Sequence, residues 1–220
     1  MKILILIPVW KRSEVFRAVV KQYQENIYQP EFCFILSQDD PEYSENFKTV
    51  IESSLNCVLL HHENLPLADK MNFAIRECYK LSSFDYIMNA GSDDFIALDS
   101  IIELYSNYNS EFIGLNSVHV MDKSNGDMYT IDTGNDWQVM GAGRMIHRSI
   151  IQRMIETNDY LYTPGFNRGL DGDSQQNILR ITGIHPTVLT TDEILVIDVK
   201  DDNNINPIHL IKHRLKPYEG

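Results

Sequence analysis

The sequence predicts an α/β protein built on a mixed, mostly parallel sheet flanked by helices. Three observations point there. Short apolar runs alternate with helical segments through the first half, the runs are apolar throughout, and each ends in polar or turn-forming residues. Uninterrupted apolar strands belong in a sheet covered on both faces, and strand–helix alternation makes its strands parallel. Ligands of such sheets bind beyond the carboxyl ends of the strands.

The elements follow in order. Ile3 to Ile7 reads as the first buried strand, too short before Pro8 for a signal-peptide core. The loop "PVWKRS" leads into a helix over Glu14 to Asn26, with Ser13 as its cap. "EFCFILS" is a second strand, followed by a weaker helix around Tyr43 to Ser53. "NCVLLHH" is a third, and the helix after it puts Leu67, Met71, Ala74, Ile75 and Cys78 on one face. "FDYIMNA" is a fourth, with a helix starting near Asp99 as its cap.

The second half is less regular. "EFIGLNSVHVMD" and "DMYTIDTG" form a hairpin around Asn125-Gly126, a strong turn signal. "GAGRMIHRSIIQRMIE" turns into a helix, "GLDGDSQQNILR" starts another, and "EILVIDVK" is a late strand. "NPIHLIKHRLK" reads as a closing helix with Asn206 as cap and Pro207 in its first position. The expected organisation is one domain over residues 1–198, in halves 1–110 and 111–198, with a basic tail helix over 199–220.

A net charge of −12 argues against a general binder of nucleic acid or anionic membranes. Three cysteines, an odd number without a CxxC pair, suit a reduced, cytoplasmic protein. No stretch approaches a membrane span of roughly 20 residues.

The stretch "YIMNAGSDDFIALDS" sets Asp93 and Asp94 side by side at a strand's end. Their repulsion is costly unless a cation, a hydrogen-bond network or open water compensates. A solvated turn before a capped helix is the bland account.

Taken with "ILIPVWKR", "SQDD", "LADKMNFAI", "VMGAGRMIHRSII" and "NRGLDGDS", in that order along residues 2–198, this stretch resembles the GT-A-fold nucleotide-sugar glycosyltransferases, in their large family-2-like group. The resemblance implies a Rossmann-like GT-A domain and transfer of a sugar from a nucleoside diphosphate donor, UDP-linked, to an acceptor hydroxyl. It matches Asp93 to a metal-facing aspartate, with Ser92 beside it, so Mn²⁺ or Mg²⁺ is the implied cofactor; a hard dication suits oxygen ligands and a diphosphate leaving group. The family's first aspartate falls on Gly91, a departure. By position Pro8, Trp10, Arg12 and Asp39 come to the nucleoside, Lys70 and Asn72 face the donor, and Gly141 and Gly143 let backbone approach the sugar. Trp137 could stack on a sugar or serve the core, and Arg144 and His147 could be an exposed helix face. Asp171 matches the general base of an inverting transfer; Asp173 is the alternative base, or a helix cap. His185, His209 and His213 could complete a metal site, and Lys212, Arg214 and Lys216 could meet a diphosphate or a phosphorylated acceptor, or simply be solvated.

Two other readings stay open: a non-catalytic nucleotide-sugar binder with a degenerate site, and a sugar-phosphate nucleotidyltransferase. A nucleotidyltransferase of that kind needs a glycine-rich loop after the first strand, and "PVWKRSE" contains no glycine. The acceptor could be a saccharide, a lipid-linked sugar or a modified DNA base.

Overall fold

In the computed structural model, residues 1–201, 204 and 207–218 are described. The chain runs β1 (Ile3–Pro8), α1 (Ser13–Gln24), β2 (Glu31–Leu36), α2 (Tyr43–Glu52), β3 (Cys57–His61), α3 (Leu67–Leu81), β4 (Tyr86–Asn89), β5 (Asp94–Ile96) and α4 (Leu98–Ser106). It continues through β6 (Phe112–Leu115), β7 (Ser117–Asp122), β8 (Met128–Asp132), β9 (Met145–His147), α5 (Arg148–Glu156), α6 (Leu170–Thr182), β10 (Thr187–Leu189), β11 (Val196–Lys200), α7 (Ile208–Ile211) and β12 (Lys216–Pro217).

Seven strands form the main sheet in the order β10-β6-β9-β4-β1-β2-β3. All pairings are parallel except those of β9, which lies antiparallel between β4 and β6. The apolar strands serve both faces. Ile3, Ile5 and Ile7 join one core with α1, α4 and the smaller sheet, while Leu4 and Leu6 join a second core with α3, α5 and α6. Burial on both sides is why alternation is missing from their sequence.

The smaller sheet, β12-β8-β7-β11-β5, is mostly antiparallel. The sequence does not announce it. "EFIGLNSVHVMD" divides at Asn116, so β6 enters the main sheet and β7 the smaller one. Three-residue strands such as β5 and β9 carry too little periodicity to be read. β11 crosses the boundary expected after residue 198, and both sheets mix strands from the two expected halves.

Several caps differ from expectation. Ser13 makes no side-chain cap; its N–H donates to Glu42 Oε2 at 2.8 Å, so the start of α1 is satisfied from the neighbouring loop. Asp99 lies inside α4 and accepts from the N–H groups of Ile27 and Tyr28, at 3.0 and 2.7 Å, holding the loop before β2. The closing helix is a single α-turn, α7, then a 3₁₀ turn at Lys212–Arg214. Ile208, Ile211 and Leu215 pack on the core, and β12 pairs with β8 instead of extending the helix. Pro207 is the N-cap of α7, and the Asn206 cap falls outside the described residues. Among the described residues, no helix is long and apolar enough to cross a membrane.

Candidate active site

Chain order reverses beside β1: β2 and β3 extend the sheet on one side, and the chain returns to lay β4 on the other. Such a switch point opens a crevice between the loops that leave the two strands. Here those loops are 9–12 and 90–93. A cleft of about 650 Å³ opens there, lined by Pro8, Trp10, Arg12, Ser92, Asp93, Gly141 and Asp171 among others.

On its floor three carboxylates meet. Asp94 in β5 stands directly opposite Asp198 in β11 of the antiparallel pair, with Asp93 adjacent. Oxygens of all three lie within 4.8 Å of one another. Like charges opposite each other weaken a sheet. Two cations answer part of the charge: Arg12 Nη2 pairs with Asp93, and Lys200 Nζ lies 2.5 Å from Asp198 Oδ2. Asp93 Oδ2 also accepts from Asn204 Nδ2 at 2.7 Å. Burial works against ionisation of Asp93, but Arg12 and then Lys200 outweigh it and hold its carboxyl below the usual range. Among the described residues Asp94 pairs with no cation; burial, then Asp198 and Asp93, push it well up. Burial, with Asp93 beside it, carries Asp198 up to about 7 although Lys200 opposes this. Among the described residues, Asp198 Oδ1 is buried without a hydrogen-bond partner. An oxygen-only donor set with excess negative charge and an unsatisfied buried oxygen fits a hard dication.

Gly91 is explained by the same crowding. A Cβ there would come 2.6 Å from Asp93 Oδ1 and 3.0 Å from Asp94 Oδ2, and the Gly91 N–H donates to Asp94. The two carboxylates fold back over the position where the resemblance implies an aspartate.

The loops after β1, β2 and β3 form an adjoining pocket of about 520 Å³, lined by Trp10, Gln38, Asp39, His61, His62 and Glu63 among others. Asp39 is exposed there, whereas Asp40 is buried and accepts from the N–H groups of Lys11 and Glu42. Lys70 lies beneath, fully buried, donating to the Val9 carbonyl at 2.9 Å, Ser37 Oγ at 2.8 Å and Asn64 Oδ1 at 3.4 Å. It holds three loop bases together and is absent from the walls of both cavities. Asn72 is likewise turned to protein: its side chain gives to the Tyr162 carbonyl at 2.6 Å and takes from the Tyr162 N–H at 3.1 Å. The expectation that these two side chains face a donor is corrected; their polar atoms are spent on the scaffold.

Burial lowers the Lys70 ammonium to about 8, against a weaker upward pull from Asp40 and Asp39. A depressed lysine contributes stability above its unfolded value and loses it as pH falls through the folded value. Between pH 8 and 10 the native protein should therefore gain stability relative to Lys70→Met by up to about 3 kcal/mol, the free-energy equivalent of the shift. Urea unfolding at several pH values checks this, and a difference that stays flat counts against it.

On the opposite wall, Asp171 and Asp173 sit in the first turn of α6. Asp171 has 56 % of its side chain exposed and lines the cleft. Asp173 is held elsewhere: Oδ2 accepts from the Thr163 N–H and Oδ1 from Thr163 Oγ1, both at 2.6 Å. It does not cap α6, whose N-cap is Gly169. Arg144 is not on an exposed helix face. It is 1 % exposed, just before β9, and reaches the cleft wall. His147 caps α5 by accepting from the Ser149 N–H. Trp137 is exposed rather than core. His185, His209 and His213 are exposed, and among the described residues none joins the carboxylate group. Arg214 lines the cleft, while Lys216 pairs with Asp132 at 2.6 Å.

Asp198, Lys200, Asn204 and Tyr162 belong to the site without standing out in the sequence, whereas Asp94 is marked there by its place beside Asp93. Asp198 carries a usable signal: an acid inside the apolar run "ILVIDVK", at a position a half-buried strand would give to a hydrophobe. Asn204 and Tyr162 carry none.

No protein-family model matches the chain, and no curated protein sequence does. Solved structures match in shape. Residues 1–349 of S. aureus TarS, in complex with UDP-GlcNAc, superpose with a TM-score of 0.65 at 11% identity over 96% of this chain. The mannosyltransferase PcManGT from Pyrobaculum calidifontis, in complex with GDP-Man and Mn²⁺, gives 0.63 at 11% over 93%. The chain spans 64% of the length of the first and 59% of the second. A 4-diphosphocytidyl-2C-methyl-D-erythritol synthase gives 0.58 at 15% identity, with 93% of this chain and 95% of that one covered. At these identities the likeness establishes fold, and function has to be argued from the site. The chain has the GT-A fold of nucleotide-sugar glycosyltransferases that its sequence motifs resemble.

Proposed function

We propose that this protein is a metal-dependent glycosyltransferase that moves a sugar from a nucleoside diphosphate sugar, UDP-linked, to an acceptor hydroxyl with inversion. One observation carries the reading: the Asp93, Asp94 and Asp198 carboxylates share a cleft floor with an exposed carboxylate, Asp171, on its wall. In this reading the nucleoside enters the pocket of Trp10 and Asp39, where an indole face can stack on the base and a carboxylate can accept from base or ribose. The three floor carboxylates would hold Mn²⁺ or Mg²⁺, which when bound would neutralise charge on the leaving diphosphate. Arg12 holds Asp93 ionised, and Lys200 orients Asp198. Asp171 takes the proton of the attacking hydroxyl; it is open to solvent and sits in the first turn of α6 on the cleft wall.

Nucleotide-sugar complexes of two fold neighbours support the substrate class, and the Mn²⁺ in one supports the metal. One neighbour of matching length is a synthase, which keeps the nucleotidyltransferase reading in view. The test is a panel. UDP-GlcNAc, UDP-glucose and GDP-mannose are incubated with Mn²⁺ or with EDTA, beside UTP plus a sugar phosphate. Mn²⁺-dependent release of nucleoside diphosphate is expected. Pyrophosphate release from UTP with no diphosphate release would overturn the proposal in favour of nucleotidyl transfer, and neither activity would favour a non-catalytic binder.

A further inference from the structure

We infer that Arg144 and Gly141 together form a seat that positions the Asp171 carboxylate; this deepens the reading of Asp171 as the base and rests on it. Arg144 Nη1 donates to the Asp171 backbone carbonyl at 3.1 Å, and Nη2 lies 3.9 Å from Asp171 Oδ1. Nη2 also donates to the Tyr162 hydroxyl at 3.2 Å. With the Asn89 amide oriented to satisfy its neighbours, its oxygen accepts from Nε at 3.0 Å and from the Tyr162 hydroxyl at 2.7 Å. Tyr162 is fixed in turn by Asn72, which pairs with both of its backbone groups. The guanidinium is therefore held by residues on β4, by α3 through Tyr162, and by α6, and it cannot swing.

Enclosing a guanidinium costs several kcal/mol unless its charge is answered. Among the described residues, Asp171 is the carboxylate in ion-pair range of Arg144. The charge is thus spent on a residue whose own side chain is mostly in water. Gly141 supplies the other contact. A Cβ there would overlap the Asp171 carboxylate and come 2.6 Å from its Cγ, so that group rests against the bare Cα. Tyr162 hydroxyl bonding alone would need no positive charge, and a loop turn alone would need no bare Cα beneath a carboxylate. Both features have Asp171 in common.

A double-mutant comparison tests this. Arg144→Lys, Gly141→Ala and each combined with Asp171→Asn are assayed for Mn²⁺-dependent UDP release from UDP-GlcNAc, with water as acceptor, and Gly141→Ala is crystallised alongside wild type. Each single variant should lose roughly 10–100-fold in kcat, as a misplaced reacting group does, with KM for the donor changed by no more than about 2-fold. On the Asp171→Asn background neither change should cost more than about a further 2-fold. The Asp171 carboxylate should be displaced in the Gly141→Ala crystal. Losses that persist in full on the Asp171→Asn background would overturn the proposal, because Arg144 would then act on substrate or on the fold itself. So would an unmoved carboxylate. If Arg144→Lys does not fold, Gly141→Ala decides the matter. Full turnover by Asp171→Asn would overturn the base reading alone, and the crystal structures would still judge the seat.

Discussion

Asp171→Asn is expected to lower turnover by roughly 10²–10⁴-fold while leaving donor affinity nearly unchanged. The amide keeps the shape of the carboxylate and cannot accept the proton. Asp173→Asn should behave differently. Its carboxylate accepts from the Thr163 N–H and hydroxyl, so the loss falls on the loop before α6. About 1–3 kcal/mol of stability is at stake there, with a smaller loss of turnover. The comparison is made with thermal melts, donor titration and product stereochemistry on both variants. Retention at the anomeric carbon, or a larger turnover defect from Asp173→Asn, would refute the assignment.

The other large effect concerns the cleft floor. Asp198→Asn removes one of two carboxylates that face each other across β5 and β11. In calorimetry with UDP present, Mn²⁺ affinity should fall at least about 10-fold, because hard-cation affinity follows the number of charged ligands. The fold should survive, since relief of repulsion with Asp94 offsets the lost pairing with Lys200. Asp93→Ala should be far more damaging. It takes from Arg12, whose side chain is 8% exposed, the nearer of two carboxylates and leaves Asp201 at 3.8 Å. Removing one partner of such a buried pair costs about 3–5 kcal/mol. Denaturant midpoints measure that difference. Equal Mn²⁺ affinity in wild type and Asp198→Asn would remove Asp198 from the ligand set.

The sequence is legible where one residue type has one physical explanation. A short, β-branched apolar run such as Ile3 to Ile7, ended by Pro8, fits a strand covered on both faces, and the paired aspartates after β4 demand compensation. Asp171 and Asp173 cannot be separated by sequence, because two acids in one first turn look alike until Thr163 is seen bound to the second of them. Lys70 and Asn72 show the reverse error. Both sit at the right point in the chain, yet whether a polar side chain serves ligand or scaffold depends on partners up to 90 residues away. The smaller sheet is hidden because β5 and β12 gain their strand geometry from neighbours rather than from their own short sequences.

Arg12 has a consequence for how the molecule is made. Its guanidinium binds Asp93, the Val199 carbonyl and Asn204, and the Val199 N–H returns to the Asp93 carbonyl. A residue among the first dozen thus waits for one near position 200. As the chain leaves the ribosome from its amino end, β1 to β4 can pair early, with Arg12 and Asp93 already side by side. Asp198, Lys200 and Asn204 have yet to emerge at that point. The carboxylate floor can close only once β11 has emerged, so the nascent protein has a sheet well before it has a site.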